Sequence, residues 1–157
     1  ILIAGDIVHS KTQGISPELI SNLTWWFREM SKVAEVHVTL GNHDGLILNP
    51  DREDAISPII NAIDDSNIRL YKKSGIYQLS DEYNLCVFSC FDEDGWQNVR
   101  PEPGKVNIAT FHGPVNGYTT NEKWNPDGSV NDSFFDRFYY TLPGDIPTQH
   151  ITPTTIA

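Results

Sequence analysis

The apolar, β-branched run Val36-His37-Val38-Thr39-Leu40 leads straight into Gly41-Asn42-His43-Asp44. That junction constrains the fold more than any other stretch. The run reads as a strand, the glycine lets the backbone turn sharply, and the polar residues after it project from the strand's carboxyl end. The pattern recurs at Ile1-Leu2-Ile3-Ala4-Gly5-Asp6, with His9 three residues on, and at Val106-Asn107-Ile108-Ala109-Thr110-Phe111-His112-Gly113. Each instance has an ordinary explanation: Gly-Asp is common in turns, Asn-His-Asp can cap a helix, and a lone histidine after a strand is usually a packed one. Three strand ends that each deliver Asp, Asn or His instead predict one shared edge that carries a site.

The intervening chain supports such an edge. Ser16-Pro17-Glu18 is a helix start, with serine at the cap and proline in the first turn. The helix should run to about Lys32 and bury Leu19, Ile20, Leu23, Trp26, Phe27 and Met30. Strand, helix and strand in succession predict a parallel pair with a right-handed crossover. A second helix is expected from Arg52 to Ile63, with Ile56, Ile59, Ile60 and Ile63 inward. Ile68–Tyr71, Gly75–Leu79 and Leu85–Ser89 are short strands parted by turn residues, which suggests an antiparallel meander. Asp92 to Lys105 and Asn116 to Asn131 read as loops. The second carries Tyr118 and Trp124, which can stack on a base or pack the loop down. Ser133–Phe138 is expected to form a helical turn and Tyr139–Leu142 a last strand. Residues 148–157 read as an irregular tail behind one domain over residues 1–147. The fold class is therefore α/β.

The chain has 157 residues, 39% of them hydrophobic, and a net charge of −10. This describes a globular protein, and it argues against a free-standing electrostatic nucleic-acid binder. Bound divalent cations or a partner subunit can offset the negative charge locally. Cys86 and Cys90 read as small buried hydrophobes, and two thiols without a wider framework suggest a reducing compartment. No stretch approaches the roughly 20 apolar residues needed to cross a bilayer, and no signal peptide is visible. The chain begins inside a strand and its single methionine is Met30, which reads as a fragment.

Asp6, Asn42 and His112 offer a carboxylate, an amide oxygen and an imidazole. That mixture suits Mn²⁺, with Mg²⁺, Zn²⁺ or Fe²⁺ as alternatives. A carboxylate can bridge two ions roughly 3.5–4 Å apart, a clamp for the oxygens of a phosphate ester. His43 is placed to protonate a leaving oxygen, and Asp44 to orient neighbouring groups. His9 is a second candidate for phosphate contact or proton transfer. His37, inside a strand, and His150, in the tail, take the ordinary structural reading.

Gly5-Asp6-Ile7-Val8-His9, Gly41-Asn42-His43-Asp44 and Phe111-His112-Gly113 together resemble successive motifs of the calcineurin-like metallophosphoesterases. The histidine three after the aspartate, followed by a Ser-Pro helix start, is most similar to the SbcD-type branch, which includes phage recombination nucleases. The resemblance implies two packed mixed sheets flanked by helices, in four layers, without the family's first strand. It implies Asp6 as a bridging ligand, Asn42 and His112 as ligands of the second ion, and His43 and His9 as catalytic histidines. The implied activity is hydrolysis of a phosphodiester, as a DNA exo- or endonuclease subunit of a recombination and repair complex. The implied partners are DNA, an SbcC-type SMC-like ATPase and a second copy of the chain, in the cytoplasm of a bacterial cell or phage-infected host. Two features depart from the family. Its opening Asp-x-His motif would lie ahead of Ile1, and its closing Gly-His-x-His reads here Gly144-Asp145-Ile146-Pro147. Asp145 can replace the first of those histidines, but Pro147 has no side-chain donor. One bound ion at best, and weak or no hydrolysis, are therefore expected of this chain. A phosphatase or phosphodiesterase for small molecules or phosphoproteins, and an inactive scaffold, are the alternatives.

Overall fold

The computed structural model of the chain describes residues 1–9, 14–49, 51–116 and 130–145. Three parallel strands form the first sheet, in order β1 (Leu2–Ala4), β2 (Val36–Thr39) and β3 (Ile68–Tyr71). The β1–β2 crossover is helix α1 (Pro17–Ser31), and the β2–β3 crossover is helix α2 (Ser57–Ile63). Ser16 caps α1 by accepting a hydrogen bond from the Leu19 N–H at 3.2 Å, so a donor at the open helix end is satisfied.

The second sheet is mixed, in order β4 (Gly75–Gln78), β5 (Tyr83–Phe88), β6 (Val106–His112) and β9 (Tyr140–Gly144). Only β4 and β5 are antiparallel; β5, β6 and β9 run parallel. A small parallel pair, β7 (Val115–Asn116) and β8 (Val130–Asn131), lies apart from both sheets. Two sheets flanked by helices agree with the expected α/β architecture. Pro143 is tolerated in β9 because that strand is at the sheet edge, where a missing N–H leaves no ladder bond unmade.

The core has three parts. Phe27, Leu23, Val36, Val38, Ile56, Ile59 and Ile60 fill the space between the helices and the first sheet. Tyr71, Leu85 and Val87, with Leu2 and Ile108 against them, join the two sheets. On the far side of the second sheet, Phe88 stands edge to face with Trp96, Phe134 and Phe138, and Trp96 with Phe111, around the buried Phe135. That layer is closed by two 3-10 turns, Glu93–Asn98 and Asp132–Phe135.

Five local expectations are corrected. Residues 68–89 are not a meander, because β3 joins β2 in the first sheet and only β4–β5 is a hairpin. Helix α2 starts at Ser57 rather than Arg52: the buried Asp54 carboxylate takes up the Ile56 and Ser57 N–H groups at 2.9 and 2.7 Å. On α1, Leu23 and Phe27 are buried, but Leu19, Ile20 and Trp26 are 37–42% exposed, because the helix meets the body along a narrow stripe. Part of the Asp92–Lys105 loop is a 3-10 turn. The helical turn expected at residues 133–138 is a 3-10 turn at Asp132–Phe135. Cys86 and Cys90 are free and buried, and burial pushes their thiols up to about 11 and about 12, so they stay protonated. Tyr118, Trp124, His150 and the residues 148–157 lie outside the described residues.

Candidate metal centre

The carboxyl ends of β1, β2, β6 and β9 meet at one corner of the two sheets. Asp6 follows β1, Asn42 to Asp44 follow β2, His112 ends β6 and Asp145 follows β9. Close approach of four backbones is possible because three glycines sit between them. A Cβ on Gly5 would come within 2.7 Å of the Gly41 Cα, and one on Gly41 or Gly144 within 2.7 Å of the His112 ring. Gly5 also takes φ +81°, a conformation that side-chain-bearing residues rarely adopt.

His112 is 3% exposed and its ring is fixed by a hydrogen bond. Its Nδ1 lies 2.7 Å from the Ala4 carbonyl oxygen, which can only accept, so Nδ1 carries the proton. In the neutral ring, Nε2 then presents its lone pair, and it faces Asp6 Oδ2 at 3.3 Å. Two acceptors turned toward each other this closely repel unless a cation lies between them. His112 Nε2 and the Asn42 side-chain oxygen are both buried with no hydrogen-bond partner. Asp145 completes a group with Asp6 and His112 in which one ligand atom from each lies within 4.8 Å of the others. Asp6 and Asp145 also hold left-handed backbone conformations, φ 54° and 70°, which cost an L-residue energy and cluster at functional sites. A carboxylate pair, an imidazole nitrogen and an amide oxygen suit Mn²⁺ or a similar ion, so the residues present fit a divalent cation.

Beside this group stand two more histidines. The His43 N–H donates to Asp6 Oδ1 at 2.8 Å, and its ring Nε2 lies 3.9 Å from Asp6 Oδ2. The His9 ring rests on the His43 ring with centroids 4.3 Å apart. His43 is 31% exposed at the side chain, so it is open to an incoming group.

Asp44 lies beneath the two turns. It is fully buried and cannot touch substrate, so it is a positioning residue rather than a catalytic one. Its two oxygens accept the Val8 N–H at 2.9 Å and the Gly41 N–H at 2.8 Å, which ties the turn after β1 to the turn after β2. Burial raises its pKa, and the hydrogen bonds from Gly41 and Val8 pull in the opposite direction without cancelling that effect. His37 is structural: Nδ1 lies 2.8 Å from the Tyr71 hydroxyl, remote from the corner along β2. The role of Gly144 and the Ala4 carbonyl was invisible to motif reading, although Gly5 and Gly41 sit visibly before Asp6 and Asn42. Among the described residues no helix is long and apolar enough to cross a membrane.

The sequence model of the calcineurin-like phosphoesterases matches residues 1–141. An uncharacterized protein of Acanthamoeba polyphaga mimivirus is 34% identical over 160 aligned residues, which cover 93% of this chain. The chain spans 12% of that protein's length. The match runs from β1 to the start of β9, and the chain belongs to the calcineurin-like phosphoesterases, metal-dependent hydrolases of phosphoesters.

Proposed function

We propose that this chain is the catalytic domain of a metal-dependent DNA nuclease that cleaves phosphodiesters for recombination or repair. Asp6, Asn42, His112 and Asp145 hold the cation. That cation, when bound, supplies Lewis acidity toward a phosphoryl oxygen and acidifies water. The observation that carries this reading is the facing pair His112 Nε2 and Asp6 Oδ2 at 3.3 Å, with the His43 and His9 rings in tilted contact alongside.

The chain's own residues divide the work. His112 is held in one tautomer by the Ala4 carbonyl, which keeps Nε2 available as a ligand. His43 binds through its ring on the open side of Asp6 and carries a proton on Nε2 for the departing ester oxygen. His9, whose ring lies tilted against it, restricts that ring and meets the phosphate. Asp44 keeps the two turns in register. Mn²⁺ fits the mixed ligand set best. A negatively charged chain needs positive charge from elsewhere to hold DNA, which an SbcC-type ATPase partner would provide.

Assay of the chain with Mn²⁺ against a DNA end, a cyclic nucleotide and p-nitrophenyl phosphate tests this. Shortening of the DNA, abolished by His43→Ala, is the expected result. Turnover of the small esters alone would overturn the nuclease reading in favour of a small-molecule phosphoesterase. That second reading has one observation on its side: Asp51, Asp92, Glu93 and Asp94 crowd the cavity next to the corner.

A further inference from the structure

Against the metal corner lies a small cavity of about 90 Å³ whose inner end is formed by Asn42 and His112. Its walls are Ile47, Trp96, Phe111 and Pro114. Its lining includes neither His9 nor His43. Resting on the hydrolase reading above, we infer that this cavity receives the non-leaving substituent of a phosphodiester, and that the substituent is an uncharged, flat group of ring size.

Three observations lead there. First, the cavity shares Asn42 and His112 with the metal corner, and those two residues hold the unpartnered buried Oδ1 and Nε2. A phosphate drawn to a cation that those atoms hold would have one of its substituents at the cavity mouth. The substituent that departs must instead lie by the proton donor, and the two candidate donors line no part of this wall. In the reaction the P–O bond to the departing group breaks and water's oxygen bonds to phosphorus. One water proton ends on the departing oxygen, while the group in the cavity stays attached as a monoester.

Second, the walls are rigid and flat. The Trp96 indole N–H donates to the Ser89 carbonyl at 2.9 Å, and the ring stands edge-on to Phe111 at 5.4 Å and to Phe88 at 6.1 Å. A slot of this size takes most of one ring, less than the 150 Å³ or so in which benzene is fully enclosed.

Third, the charge around the slot disfavours a second phosphate. Glu93 lines both this cavity and the larger one next to it, which Asp51, Asp92 and Asp94 also line. The lysines of that neighbouring cavity are engaged: Lys72 Nζ lies 2.8 Å from Asp54 and Lys73 Nζ 3.3 Å from Asp92. An aryl group or the nucleoside next to the scissile phosphate meets these conditions, and a directly adjoining phosphate does not.

Methyl p-nitrophenyl phosphate and phenyl p-nitrophenyl phosphate share a leaving group and differ only in what stays behind. With Mn²⁺, kcat/KM for the phenyl ester should exceed that for the methyl ester by about tenfold or more. Ile47→Trp, at a 41% exposed rim position that does not threaten folding, fills the slot and should bring the ratio near one. Trp96→Ala should change the ratio as well, with circular dichroism to confirm its fold. Calorimetry with diphenyl and dimethyl phosphate gives a second readout that needs no turnover: the diphenyl ester should bind tighter, and Ile47→Trp should remove the difference. Equal ratios and equal affinities in the wild type and Ile47→Trp would overturn the slot. Discrimination in binding without hydrolysis of any ester would support the slot and overturn the hydrolase reading.

Discussion

Gly41→Ala adds one methyl group at the place where four chain segments come closest, and its cost follows from the geometry. The new Cβ would sit 2.7 Å from His112 Cε1 and nearer still to the backbone nitrogen and Oδ1 of Asp6, against an ordinary contact of 3.4–4 Å. Something must retreat by roughly 1 Å, a displacement that costs on the order of 100-fold when it falls on reacting groups. Neither neighbour yields easily. Asp6 is in a left-handed conformation and His112 is tied to the Ala4 carbonyl. Overpacking in well-packed interiors costs about 1–3 kcal/mol, and these constraints put Gly41→Ala at the upper end, about 3 kcal/mol. Mn²⁺ affinity should fall about 10–100-fold, because His112 and Asp6 can no longer both meet one ion. Paired urea denaturation and Mn²⁺ calorimetry measure both effects. Gly14→Ala is the control, since a Cβ there meets nothing within 4 Å. If Gly41→Ala matches Gly14→Ala in stability and metal affinity, the glycine cradle has no role in building the site.

Two further changes test the scaffold. Asp54→Ala should destabilise the fold by about 3 kcal/mol in urea, because the buried carboxylate receives the Ile56 and Ser57 N–H groups, the Ser57 hydroxyl and Lys72. Burial alone would raise the Asp54 pKa, but Lys72 and the Ser57 and Ile56 donors outweigh it and hold it low, so its contribution is present above the usual carboxylate range and lost on acidification through it. His37 has a pKa lowered from 6.5, first by burial and then by the N-terminal amine and Arg69, against the raising effect of Glu35. Its contribution is therefore complete above pH 6.5 and declines as the pH falls through that value. The urea midpoint should drop from pH 7.5 to pH 5.5 more steeply in the wild type than in His37→Gln; identical slopes would show that His37 carries no linkage.

The three strand ends were legible because each motif is local: a run of apolar residues, then Asp6, Asn42 or His112 within a turn. Fold class followed for the same reason, since strand, helix and strand in sequence leave few arrangements. What escaped the sequence was long-range. Ile68–Tyr71 looks like the first strand of a meander, and only its pairing with Val36–Thr39 places it in the other sheet. Helical spacing marked Leu19, Ile20 and Trp26 as inward, yet spacing cannot say how wide a stripe the body offers. The start of α2 was masked by a side chain, because Asp54 competes for the N–H groups that a helix from Arg52 would use. At the site, residue types indicated the ligands, whereas Ala4 and Gly144 act through backbone and empty space, which carry no sequence signature. That Asp44 lies buried also escaped motif reading, because an aspartate that follows Asn-His can turn outward or inward, and here it turns toward two N–H groups.

The most direct measurement is the Mn²⁺ binding isotherm of the chain beside those of Asp6→Asn and His112→Ala. One ion should bind per chain, and each substitution should weaken it by about 100-fold or more while leaving the fold's far-ultraviolet spectrum intact. Metal binding that survives both substitutions, or two tight sites on the unaltered chain, would contradict the assignment of the cation to the Asp6–His112–Asp145 corner.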